Sequence, residues 1–305
     1  MDFHIRHRTT YVYDRPVRFG DHRLMIRPRD GHDMRLLDSS LSLSPPADVH
    51  WAFDTFGNSV AHLSFHDPAE ELVVESDLIL RRYGVDEPLQ RLRRYAELFP
   101  VRYSADERTD LAPYLVPEYG PDVKIVTAWV AERLPAPSAS SLEVLEALGA
   151  SIHAGIGYAR REAMGVQSPA ETIRLARGSC RDFALLFMEA ARSLGFAARF
   201  VTGYLYDPVA DPAANRSADS DAFSGGGATH AWADVFVPGV GWTEFDPTNR
   251  IIASRNLIRV AVTRRPAQSV PVSGTFCSEG GQFLRMTVTV IVRRASRRAG
   301  LLRDA

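Results

Sequence analysis

Cysteine is scarce in this 305-residue chain, which holds only Cys180 and Cys277. One pair in a chain this long builds no disulfide framework. No apolar run approaches the length of a membrane span. The first residues, Met1-Asp2-Phe3-His4-Ile5-Arg6-His7-Arg8, lack the apolar stretch of a secretory signal. The expectation from these features is a reducing, cytoplasmic setting in which a free thiolate persists. An excess of charge of one sign is also missing. The formal net charge is -1, which gives no reason to expect nucleic-acid or membrane partners. The basic end, Arg293-Arg294 and Arg297-Arg298, reads as a solvated tail. Zinc-protease, zinc-finger and phosphate-loop patterns are absent, so no metal or cofactor is expected. His4 and His7 read as strand and surface residues, and Gly155-Ile156-Gly157 lacks the third glycine of a nucleotide loop. No internal repeat is visible.

What is present is the composition of a globular protein, 45% hydrophobic and 24% charged. Residues 1–85 read as a β-rich module. Arg8 to Tyr13, Leu36 to Leu43, Trp51 to Asp54, Val60 to Phe65 and Leu72 to Leu80 have strand character, with a turn signal at Phe56-Gly57-Asn58. Such a series predicts an antiparallel, sandwich-like or barrel-like module. From Pro88 the pattern turns helical. Leu89, Leu92, Tyr95, Ala96 and Leu98 fit helical spacing, as do Val123, Val126, Trp129 and Val130. Ser141 is placed as the cap of a helix through Leu148. Ser168 is placed as the cap of another, with Pro169 at its first position and Glu171 as box partner. Phe183, Leu186, Phe187, Ala190 and Leu194 predict a helix buried on one side and stopped at Gly195. Strands follow at Ala197 to Tyr206, His230 to Val237, Trp242 to Phe245, Leu257 to Thr263 and Leu284 to Val292. Between the first two lies a loop, Asp207 to Ala228, that ends on a triglycine stretch before His230. Residues 86–305 are thus expected to form a second, α+β unit.

Cys180 carries the chemistry. It follows Arg177-Gly178-Ser179 at the predicted start of the amphipathic helix, where free N–H groups and positive partial charge favour a thiolate. Ser179 is a natural cap and Asp182 its box partner. Cys277 has no such setting and reads as a loop residue. Downstream come His230, in Thr229-His230-Ala231-Trp232, and Asp246, in Phe245-Asp246-Pro247-Thr248. A cysteine, a histidine and an acid are the parts of an acyl-transfer site. Side chains alternate along a strand, so an odd loop at Pro238-Gly239-Val240-Gly241 is needed to put His230 and Asp246 on one face. A regular hairpin still separates them by one step, and a bulge or bend near Pro247 is expected to close it.

Several stretches together resemble the bacterial transglutaminase-like proteins. They are Gly178-Ser179-Cys180-Arg181-Asp182-Phe183-Ala184, Ala197 to Leu205, Thr229-His230-Ala231-Trp232-Ala233-Asp234-Val235, Gly241-Trp242 and Phe245-Asp246-Pro247-Thr248. Tyr11-Val12-Tyr13-Asp14, Pro16-Val17 and Asp54-Thr55-Phe56-Gly57-Asn58 are similar to the β-rich module that precedes the core in many members. The resemblance implies a papain-like core, with the nucleophile on a helix packed against an antiparallel sheet that carries the histidine and acid. It implies Cys180 as nucleophile, His230 as general base and acid, and Asp246 as the group that orients the imidazole. Chemistry then runs through a thioester on a peptide or side-chain amide, with hydrolysis expected. A true transglutaminase, with an amine as acceptor, and a non-catalytic peptide-binding module are the alternatives. Gln167 is a candidate second oxyanion donor beside the Cys180 backbone N–H. Trp232 and Trp242 are candidate walls of the cleft.

Overall fold

The computed structural model describes residues 1–83, 99–134, 140–161, 164–211, 224, 227–278 and 280–295. The helix expected over Leu89 to Leu98 lies outside the described residues. The other elements are described here in chain order. Strands β1 (Asp2–Leu24), β2 (Met34–Ser44), β3 (Ala47–Phe53), β4 (Ser59–Phe65) and β5 (Ala69–Arg82) come first. Helices α1 (Ala105–Asp110), α2 (Ala112–Leu115), α3 (Val123–Ala131) and α4 (Ser141–Gly155) follow. Then come β6 (Gly157–Tyr158), α5 (Pro169–Leu175), β7 (Arg177–Gly178) and α6 (Cys180–Ser193). The chain closes with β8 (Ala198–Leu205), β9 (His230–Val237), β10 (Gly241–Asp246), β11 (Ile251–Ile252), β12 (Leu257–Thr263), β13 (Val272–Cys277) and β14 (Phe283–Arg294).

Among the described residues the first sheet has seven strands in the order β2-β5-β1-β4-β3, with β13 and β14 also paired to β1. The 23-residue β1 is its spine. Its first half lies between β5 and β14, and its second half between β4 and β13. Register shifts between Val12 and Val17 bend β1, so the antiparallel sheet curls over its own core of Tyr13, Val17, Phe19, Leu24, Leu63, Leu72 and Val74. Sheet membership therefore divides the chain differently from the expected spans 1–85 and 86–305. The last two strands return to the first sheet. Cys277 ends β13, opposite Arg18, rather than lying in a loop. Nothing local in a strand's sequence encodes which distant strand it will pair with.

The second sheet runs β11-β10-β9-β8-β12, all antiparallel. Helix α6 packs on one face, through Phe183, Phe187 and Ala190 against Phe200, Ala231, Ala233, Val235 and Phe245. The amphipathic pattern predicted one buried side. In fact α3, α4 and α5 cover the other side, and every residue from Asp182 to Arg192 is buried. The polar outer face survives this because its charges are paired. Arg192 donates to Glu189 at 2.8 Å and to the carbonyls of Ala198 and Arg264, while Glu189 accepts from the Glu118 and Tyr119 amides. Burial raises the Glu189 pKa, against the pull of Arg192. One cap moves by a residue: Ser140, not Ser141, closes the box with Glu143 at the head of α4. Ser168 caps α5 by accepting from the Glu171 amide.

The first sheet packs along strands β8 and β12 of the second. Tyr204, Tyr206, Ile258 and Val260 pack against Phe3, Ile5, Met34, Leu78, Leu80 and Val290. Gly203, at the centre of β8, is a close-approach position. A Cβ there would sit 2.1 Å from the Ile258 carbonyl oxygen and 2.8 Å from the Trp232 ring. Backbone cannot yield as a flexible side chain can. Gly203→Ala is therefore expected to destabilise the protein by about 1–3 kcal/mol. A lowered urea midpoint with an unchanged m-value checks this, and an unchanged midpoint counts against it.

Candidate active site

Cys180 is the first residue of α6, and Ser179 its cap. Asp182 organises this turn. Fully buried, its carboxylate accepts from the Ser179 amide and hydroxyl (both 2.8 Å), from the Gln167 amide (2.7 Å) and from Arg161. The Ser179 hydroxyl thus donates to Asp182 instead of accepting from the helix, and the box closes through the acid. Gly178 is required just before it, because a Cβ there would lie 2.9 Å from the Asp182 Cβ. The parallel pair β6–β7 runs alongside, with Tyr158 opposite Gly178. The orphan N–H groups of the first helical turn open at Cys180, which keeps 7% of its surface exposed.

His230 opens β9 opposite Gly203, and Asp246 ends β10. The hairpin loop is three residues, Pro238-Gly239-Val240, and the strands pair in register from Gly241↔Val237 to Phe245↔Ala233. This odd loop places His230 and Asp246 on one face as diagonal neighbours. The side chains bridge the diagonal directly, with His230 Nε2 2.8 Å from Asp246 Oδ2. No register shift interrupts β9–β10. The chain turns after Asp246 instead, through Pro247 to Arg250, where Arg250 has φ 55. That turn supplies two more donors to the acid. The Thr248 amide reaches Asp246 Oδ1 and Asn249 Nδ2 reaches Oδ2, both at 2.9 Å.

Sequence reasoning missed Asn249. The Asp-Pro-Thr-Asn turn was the available signal, since Asx side chains bond to nearby backbone and to each other in turns. Asn249 also accepts from the Ser224 amide at 2.8 Å, tying the acid to the segment that precedes His230. That segment is held at its two described ends by β14. The Val290 amide donates to the Gly227 carbonyl at 3.1 Å, and the Arg294 amide to Asp211 at 2.9 Å.

Burial works against a charge on the His230 ring, but Asp246 outweighs it, and the pKa rises to about 10, with Cys180 a further contributor. Asp246 is itself fully buried; His230 and its three donated bonds hold its pKa below the usual carboxylate value. Nδ1 of His230 is buried and closes no hydrogen bond among the described residues. The thiol acts on the ring through a loose hydrogen-bonding contact and through charge, short of a well-aligned bond at Nδ1. Loose contacts of this kind are usual in an empty site.

The remaining candidates separate. Gln167 lies beside the nucleophile's turn. Its side-chain oxygen accepts from Thr172 at 3.3 Å and sits 3.5 Å from where a Gly178 Cβ would be. Trp232 is fully buried among Val201, Leu205 and Leu257, with its ring centroid 6.1 Å from that of His230. It packs behind the histidine, in a cluster built from the second sheet's own side chains, and does not wall a cleft. Trp242 stands roughly 13 Å along β10 from Asp246. It stacks under Arg199 at 4.1 Å and meets Tyr114 edge-on at 5.1 Å, lining a cavity of about 450 Å³ between the two sheets. Among the described residues, no group of three or more His, Cys, Asp or Glu side chains is arranged to hold a metal, and no helix is long and apolar enough to cross a membrane.

With this geometry in hand, comparison with known proteins is direct. Residues 3–81 match the bacterial transglutaminase-like N-terminal region, and residues 129–247 match the transglutaminase-like superfamily. This chain is a transglutaminase-like superfamily protein. Cys180, His230 and Asp246 all fall inside the second match. An uncharacterized protein of Mycobacterium tuberculosis is 28% identical over 282 residues, covering 89% of this chain and 86% of its own. One from Mycobacterium leprae is 24% identical, covering 93% and 96%. Among solved structures, a candidate cysteine protease from Cytophaga hutchinsonii superposes with a TM-score of 0.71 at 19% identity, covering 96% of this chain and 90% of that one. That likeness shows a shared α+β fold through both sheets. The superfamily is one of cysteine-dependent enzymes.

The His230–Asp246 pair has a definite pH signature. The folded pKa of His230 lies above its ordinary 6.5, so its contribution to stability is complete below pH 6.5 and is lost as pH rises toward 10. The lowered pKa of Asp246 contributes above its ordinary 3.8 and is lost as pH falls through the folded value. In Asp246→Asn the main support for the charge is gone and burial outweighs the smaller pull of Cys180, so the ring prefers to be neutral. The stability difference between wild type and Asp246→Asn is expected to be largest near pH 6 and to shrink steadily toward pH 10. Urea titrations across that range check it. A difference that grows with pH would show that the ring is not held charged.

Proposed function

We propose that the protein hydrolyses a peptide or side-chain amide through a thioester on Cys180. The observation that carries this reading is His230, fixed at 2.8 Å by a buried Asp246, with a free Nδ1 and Cys180 beside the ring. The Cys180 sulfur, a thiolate whose proton already rests on Nδ1 of the charged His230 ring, attacks the carbonyl carbon. The resulting oxyanion sits at the start of α6, where the Cys180 backbone N–H donates to it and the side-chain amide of Gln167 serves as the second donor. His230 returns the proton to the departing amine, and the C–N bond breaks to leave the thioester. Water then attacks, gives a proton to His230 and releases a carboxylic acid, and the sulfur departs as thiolate, which restores the starting pair with the charged ring. Asp246 holds the ring in the tautomer that leaves Nδ1 toward the sulfur and stabilises the imidazolium at each transfer. Asn249 and Thr248 keep the acid ionised and correctly oriented.

The test is amine release from a casein digest, read together with incorporation of dansylcadaverine. Cys180→Ala and His230→Ala are each expected to lower amine release by on the order of 10³-fold or more. Unchanged release in Cys180→Ala would remove the nucleophile assignment. Incorporation of the amine in preference to water would replace hydrolysis with transamidation.

A further inference from the structure

We propose that the substrate is an extended polypeptide that adds as a strand to the open edge of β6, through the backbone N–H and C=O of Tyr158. This inference rests on Cys180 being the nucleophile, and it makes the substrate a peptide chain instead of a small free amide. Strand β6 pairs with β7 in parallel, with Gly157 opposite Arg177 and Tyr158 opposite Gly178. The Gly157 amide donates to the Ala176 carbonyl and the Ala159 amide to the Gly178 carbonyl, both at 2.8 Å. Residues 157 and 159 thus direct their amides at β7. Successive residues of a strand turn these groups to opposite edges, so the amide and carbonyl of Tyr158 point away from β7. Among the described residues β6 and β7 form a sheet of two strands, and nothing pairs with that outer edge. Gly157, Tyr158 and Arg160 are exposed, which leaves the edge open. Gly157-Tyr158-Ala159 carries no proline and no charge, the devices that commonly blunt an edge.

This edge borders the nucleophile. Gly178 stands two residues before Cys180, and the Tyr158 ring meets Phe183 edge-on at 6.2 Å. Phe183 lies three residues after Cys180 on α6, the spacing that sets two side chains on one face of a helix. The Tyr158 hydroxyl makes no hydrogen bond among the described residues and lies within electrostatic reach of Cys180 and Asp246. Burial first, and then the nearby Cys180, push its pKa up to about 12, so it stays a neutral donor. One residue therefore presents a backbone donor and acceptor to an incoming strand and a phenol to the nucleophile. The occupant follows from the chemistry. An N–H and a C=O on one residue are satisfied together by a single residue of an antiparallel strand. A small amide has no second peptide group for that exchange, whereas a polypeptide has one at every residue. Neighbouring strands lie about 4.8 Å apart, so a chain added beyond β6 reaches the nucleophile within a few residues of the paired one. Backbone pairing fixes the direction and register of the chain and leaves its side chains to be read elsewhere.

The experiment measures alkylation of Cys180 by peptide chloromethyl ketones, read by peptide mass spectrometry, with iodoacetamide as the reagent that needs no strand. Acetyl-tetraalanine chloromethyl ketone is expected to label Cys180 about tenfold faster than acetyl-alanine chloromethyl ketone, because it can make both backbone bonds. Tetraalanine reagents N-methylated at one amide at a time keep their side chains and lose one donor. Methylation at one interior position should lower the rate about fivefold. Tyr158→Pro removes the outward N–H at an edge position where proline is tolerated. It should lower the tetraalanine-to-alanine ratio about fivefold relative to Tyr158→Ala, which loses the same ring and keeps the N–H. A wild-type ratio near one, a ratio that no N-methylation lowers, or equal ratios in the two folded variants overturns this inference while iodoacetamide still labels Cys180. The N-methyl series needs only the wild-type protein and decides the question even where Tyr158→Pro does not fold. A Cys180 that reacts with none of the reagents overturns the nucleophile assignment and this inference with it.

Discussion

The geometry of the site depends on a diagonal. His230 and Asp246 are not cross-strand partners; they are one side-chain step apart on a hairpin whose odd loop puts both on the same face. An even loop would turn Asp246 to the α6 face, where Phe187 stacks on Phe245 at 5.5 Å, and would leave His230 facing a residue of the wrong polarity. The diagonal also explains why the acid needs help. A carboxylate that reaches across a step uses one oxygen for the imidazole, and the Thr248 and Asn249 donors fix its plane. The turn after Asp246 is therefore part of the acid's support. With the pair held, the start of α6 need only bring a thiol to the free side of the ring.

How much of this was legible in the sequence depends on the range of each interaction. Local signals read well. The Ser179 cap, Asp182 three residues on and the Gly195 stop define α6 to within a residue, because caps and stops act over a few residues. Alternation and loop parity place His230 and Asp246 on one face. Long-range pairing did not read. The return of β13 and β14 to β1, and the burial of Glu189 and Arg192 on the polar face of α6, depend on partners about 70 or more residues away. Trp232 shows the same limit. Its neighbour His230 marks it as a site residue, but its burial is decided by Val201, Leu205 and Leu257 on other strands, not by the motif.

The first sheet is a structural partner of the second, since it packs along β8 and β12. Without it, Tyr204, Tyr206, Ile258 and Val260 would stand in water. The contact is not only apolar. Arg82 and Arg259, both bonded to Asp33, flank Glu244 at 3.6 and 3.4 Å, two residues from Asp246 on the same face. Glu244 is so well enclosed that burial lifts its pKa to about 7 in spite of both arginines. A buried acid with two cations fixes how the sheets sit against each other more closely than apolar packing does, because misplacing either arginine leaves charge unpaired.

Strand β14 connects this support to the chemistry. It is bonded to β1 along one edge. In an antiparallel pair the residues between those bonds turn their amides outward. Two of these outward groups, at Val290 and Arg294, are used by Gly227 and Asp211, the described ends of the segment that leads into His230. The histidine is therefore positioned from three directions: by Asp246 through its ring, by Gly203 through its backbone, and by β14 through the residues just ahead of it. A nucleophile at a helix start tolerates small shifts, because the positive end of the helix is broad. A ring that must meet sulfur on one side and carboxylate on the other does not. The added strands of the first sheet are used where that tolerance is smallest.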